Sequence, residues 1–164
     1  MNEREQKALD TIKTYMWWSL GAGLIPVPIV DLVAVSGVQL KMLASISKIY
    51  DVKFQANSGK AIIASLGGFV VPHAVSFGMI GCLLKAVPVV GVLAGAPAMG
   101  LFSAASAWAM GKVFIQHFES GGTFLNFDPE KVKAYFHQQF EEGKDLAANM
   151  GTEKKPKGVR EATV

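Results

Sequence analysis

The chain is short of charge and almost without cysteine. Asp, Glu, Lys and Arg make up 18% of its 164 residues, where an ordinary globular domain carries about 25%. The shortage is local: between residues 15 and 111 the only charges are Asp31, Asp51 and a handful of lysines. Cys82 is the single cysteine, which excludes an intrachain disulfide and a cysteine-based metal site. The net charge is only +3, and the basic residues do not cluster with aromatics, so a nucleic-acid surface is not expected. The N-terminal MNEREQKALD mixes charges where a secretory signal would place basic residues before an apolar run, so none is expected. Strand-like alternation, low-complexity tracts and repeats of solenoid length are missing too, which leaves an all-α chain.

What is present is helical punctuation around long uncharged runs. Leu9, Ile12, Met16 and Leu20 recur at helical spacing among Glu3, Arg4, Lys7, Asp10 and Lys13, which predicts an amphipathic helix over 3–20. Gly21, Gly23, Pro26 and Pro28 interrupt it, and Pro28 suits the first turn of a second helix running to about Tyr50. Two uncharged runs follow, of 24 residues between Lys60 and Lys85 and 26 between Lys85 and Lys112. As helices they measure roughly 36 and 39 Å, where a bilayer core needs about 20 residues. With Pro88 and Gly91 near the turn, they read as a helical hairpin over about 61–111. Gly121-Gly122 ends its second arm. Asp128 then serves as N-cap to a last helix with Pro129 first and Val132, Tyr135, Phe136 and Phe140 on one stripe. Residues 1–150 form one helical membrane domain on this reading, and 151–164 a polar tail.

The hairpin is expected in lipid because neither arm carries a charge, with Lys60, Lys85 and Lys112 marking the ends, and a water-exposed helix of that length normally shows a polar face. Small residues recur every fourth position, in Ala74, Gly78 and Cys82, in Gly91 and Gly95, and in Ala96, Gly100 and Ala104. That spacing lets helices approach closely in lipid. Against insertion stand Pro72, His73 and the many glycines and alanines, which make each arm a marginal candidate alone. The lysines flank the hairpin and avoid all of it but its tip, so both termini are expected on the cytoplasmic side. In Tyr15–Leu40, whose one charge is Asp31, the uncharged run Tyr15–Val30 has 16 residues and is too short and too interrupted by glycine and proline to span. Trp17 and Trp18 favour the headgroup layer, so this stretch reads as a helix-turn-helix wedge lying on the cytoplasmic leaflet. The last helix is expected in the cytosol.

Chemistry is sparse. Asp31 and His73 are the polar groups in apolar surroundings that would carry a function in a transport pathway. Asp31 also suits the first turn of a helix after Pro28, and His73 suits a carbonyl freed by Pro72. His117 and His137 form no ligand spacing. NSGKAII lacks the first glycine and the Ser or Thr of a phosphate loop, so Lys60 belongs to a helix start. Neither paired carboxylates nor a nucleophile with its base stands out, and the chain is expected to be neither an enzyme nor a cofactor binder.

The Trp-Trp followed by Gly-x-Gly-x-x-Pro-x-Pro-x-x-Asp, here Trp17 through Asp31, and the Phe-Glu-Ser-Gly-Gly-Thr-Phe at 118–124 resemble a bacterial family. It is a domain family of unknown function found in YcjF-like inner-membrane proteins, often attached to Era-like or dynamin-like GTPase domains. The likeness covers roughly residues 10–145 and brings no catalytic residues. It implies a small inner-membrane protein working with a GTPase, which here would be a separate protein. The expected function is a homo-oligomeric scaffold or membrane-shaping subunit. The alternatives are a channel or transporter subunit lined by Ser65, His73, Ser76, Lys85, Ser103 and Ser106, and a peripheral protein that conceals an insertable hairpin.

Overall fold

In the computed structural model, residues 2–22, 28–77 and 90–152 are described, with the side chains of 2–21, 36–68 and 100–150. They form five helices: α1 (Glu3–Ala22), α2 (Pro28–Ile49), α3 (Ala56–Phe77), α4 (Val90–Glu119) and α5 (Pro129–Thr152). There is no strand among the described residues. The chain is all-α.

Each helix starts and stops where local chemistry favours it. Asn2 caps α1, accepting from Arg4 N at 3.3 Å, while Glu5 reaches back to Asn2 N at 3.4 Å, a reciprocal capping box. Pro28 opens α2 with its ring-fixed φ. Asp51 turns the chain after α2 at φ 57°, and Val52 N donates to Ser47 O at 2.8 Å. Asp128 Oδ1 accepts from Glu130 N at 3.1 Å and so caps α5.

The helices run alternately up and down. Tyr15 on α1 meets Ser45 on α2 (Oη to Oγ 3.1 Å), and a Cβ at Gly59 on α3 would lie 3.1 Å from Leu40 of α2. The widest packing is that of α4 against α5 and α1, with α3 touching α4 only lightly. Ile12 of α1 lies against Gly111, Gly100 sits beneath the carbonyl of Leu20, and Gly143 of α5 faces the backbone of Ala105. Core side chains come from every helix: Ile12 and Met16, Met42 and Ile46, Leu66, Phe114, and Phe136 are all fully buried.

This arrangement accounts for the absence of charge in the last part of the second hairpin arm, residues 103–111, from within the bundle. Residues 103–111 are buried without a break because α1 and α5 enclose them. A circumference without charge is what a central helix needs, in water as in lipid. Among the described residues, no helix is long and apolar enough to cross a membrane.

Candidate functional site

The two ends of the bundle differ in character. At one end stand the start of α1, the α2–α3 turn and the end of α4. Arg4 pairs with Asp51 at 3.3 Å, Tyr50 Oη donates to Glu119 at 3.1 Å, and Asn2, Arg4 and Glu119 line a small polar recess. Burial, aided by Glu119, pushes the Tyr50 phenol well above its ordinary range. Towards the other end run α1 after Lys13, α3 after Lys60 and α4 before Lys112, none with a charge, and α2 before Lys41, whose one charge is Asp31.

The Phe-Glu-Ser-Gly-Gly-Thr-Phe stretch is the keystone of the polar end. Gly121 adopts φ +78°, which a side chain rarely tolerates, and a Cβ on Gly122 would strike the His117 ring. His117 Nε2–H donates to Thr123 O at 2.9 Å, and Gly122 N to His117 O at 2.9 Å. The reversal folds Phe124 and Phe127 back on α4. Phe127 stacks on Phe114 with centroids 4.8 Å apart, while Phe124 packs on Phe114, Phe118 and, edge-on, Phe54. The sequence pattern points to a helix stop here and not to the aromatic cluster it closes. The recurrence of Phe on both sides of Gly-Gly was the available signal.

Between α2, α3, α4 and α5 lies a groove of about 790 Å³. Its walls follow helical faces: Ser36, Gln39 and Leu40 from α2, Lys60, Ile63, Ala64, Gly67 and Gly68 from α3, and Phe102, Ser106 and Met110 from α4. Phe136 completes it from α5. The lining is overwhelmingly apolar, and Lys60, exposed, is its one charged member among the described residues.

The residues singled out from the sequence are distributed as follows. Trp17 and Trp18 are half-buried in the last turns of α1, Lys60 borders the groove, and Lys112 Nζ lies 5.8 Å from the Trp108 ring centroid. Gly100 and the fully buried Ala104 face neighbouring helices of the same chain. Asp31 lies in α2, His73 and Ala74 in α3, and Gly91 and Gly95 in α4, but their side chains or surroundings fall outside the described residues. Gly78, Cys82 and Lys85 lie outside them altogether. Among the described residues, no three His, Cys, Asp or Glu side chains gather closely enough to hold a metal ion.

Residues 1–145 match the family described as Domain of unknown function (DUF697). The chain belongs to this family. The glycine reversal at 121–122 and the Trp-Trp segment, on which the resemblance rested, both lie inside the matched region. One relative, Magnetosome membrane protein 22 of Magnetospirillum gryphiswaldense, is 35% identical over 156 residues, covering 95% of this chain and 80% of that protein. No solved structure matches.

Proposed function

We propose that this DUF697 chain is a bacterial inner-membrane protein that builds a homo-oligomeric scaffold or membrane-shaping assembly and works with a separate GTPase. The observation that carries the membrane reading is the axial division of the bundle, with the nearly uncharged stretches of four helices directed away from the Arg4–Asp51 end. The relative named as a magnetosome membrane protein supports it. Because α1 and α5 enclose α4 below Gly100, insertion falls to α3 beyond Gly68 and α4 before Gly100. Trp17 and Trp18 sit at the headgroup layer, and the polar end with the start of α5 stands in the cytosol.

A second reading draws support from the same enclosure of α4: a peripheral protein that keeps its hairpin concealed until it meets a membrane. Alkaline carbonate extraction of native membranes separates the two. The proposed protein stays in the pellet and, in mild detergent, elutes at a defined multiple of the chain mass by light scattering. Release into the carbonate supernatant as a monomer would refute both insertion and scaffold.

A further inference from the structure

We infer that the groove between α2 and α3 on one side and α4 and α5 on the other holds an acyl chain of an anionic phospholipid, with the headgroup at Lys60. The inference deepens the membrane reading and rests on it for the source of the lipid.

Three observations combine. The groove's volume of about 790 Å³ falls in the range of ligand pockets, roughly 300–1,000 Å³. Its polarity is ordered along its length. On α3, Lys60 stands first and Gly67 and Gly68 two turns later, about 12 Å further along the axis, in the direction in which the helix loses all charge. A cation followed by an apolar trough matches a ligand with an anionic head and a hydrocarbon tail, and among the described residues no carboxylate lines the groove to repel it.

The third observation concerns what makes the trough. Gly37, Gly67 and Gly68 all line it, and a Cβ on any of them would meet nothing within 4 Å. These three glycines are therefore not required for helix contact, unlike Gly100, Gly111 and Gly143. Their missing side chains leave space along the groove, although glycine weakens a helix interior. A bulky residue there would occupy the groove without displacing a neighbouring helix.

The test is native mass spectrometry on the full chain purified and delipidated in mild detergent. It is titrated with phosphatidylglycerol or phosphatidylcholine of identical chains. Wild type should retain one phosphatidylglycerol per chain and prefer it over phosphatidylcholine. Lys60→Gln should lower that preference by about fivefold, the effect of one lysine near an anionic surface, and Gly67→Phe should abolish retention of both lipids. Equal retention of the two lipids by wild type, or undiminished retention by Gly67→Phe, would overturn the inference. So would a Gly67→Phe variant that changes only the oligomeric mass, since the groove would then dock a second copy. Helical circular dichroism and carbonate extraction of each variant report folding and membrane anchoring separately, so failure of the membrane reading is distinguishable from failure of the groove.

Discussion

Two glycines in the same bundle should respond oppositely to the same substitution. Replacing a helix-interior glycine with alanine stabilises a helix by about 1 kcal/mol when nothing obstructs the methyl group. At Gly68 nothing lies within 4 Å of the new Cβ, so Gly68→Ala should gain close to that amount. At Gly143 the methyl would lie 2.9 Å from Ala105 O, 3.0 Å from Ala105 Cα and 3.0 Å from Trp108 Cβ. None of those atoms can rotate aside, so α5 must back away from α4. Overpacking of this kind costs about 1–3 kcal/mol, which outweighs the propensity gain and leaves a net loss of up to about 2 kcal/mol. For a chain of this length 1 kcal/mol corresponds to about 2–4 °C in Tm. Gly68→Ala should therefore melt about 2–4 °C above wild type, and Gly143→Ala up to about 8 °C below it. The assay is thermal circular dichroism in one detergent at fixed protein concentration, since association shifts Tm. A Gly143→Ala protein that melts at or above wild type would refute the packing assigned to the α4–α5 crossing.

Three further outcomes follow from the polar end. Phe114→Ala removes the ring on which Phe118, Phe124 and Phe127 converge and should cost about 3–5 kcal/mol in denaturant titration; a loss below about 1 kcal/mol would mean the cluster is loosely packed. Because folding raises the Tyr50 phenol above its ordinary range, the folded state holds that proton more tightly. Its contribution is fully present below about pH 10 and fades as pH rises through the folded value; Tm measured from pH 9 upward should fall less steeply in Tyr50→Phe than in wild type. Asp128→Ala removes the acceptor for Glu130 N and should cost about 1 kcal/mol, while Asp128→Asn retains most of it; equal melting of the two variants would show that the cap is not what stabilises the start of α5.

Helix ends were legible in the sequence because one residue suffices to make them. Pro28 stands at the start of α2, Gly121 turns the chain after α4, and Asp128 with Pro129 opens α5. Partners were not legible, because spacing along one helix tells that something approaches closely and not what it is. The spacing around Gly100 suits a face for another helix in lipid, and Gly100 fits beneath the Leu20 carbonyl of the same chain. The stripe of Phe136 and Phe140 marked the buried side of α5. Nothing in one dimension indicated that it would pack on the very helix read as an arm of the hairpin. The groove is hidden in the sequence for the same reason: Lys60 marks the end of an uncharged run there, and its place beside Phe102 and Phe136 depends on three helices distant in sequence.

The packing of Ile12 against Gly111 also sets a timetable for synthesis. The ribosome makes α1 first, yet its main partner follows only after about a hundred further residues, roughly 5–20 s of translation. Throughout that interval Ile12 lacks the helix it packs against in the folded chain. The face of α1 that meets α4 in the fold stays open to other apolar surfaces until α4 emerges. The α4–α5 pair, joined by a short glycine turn, needs no such wait.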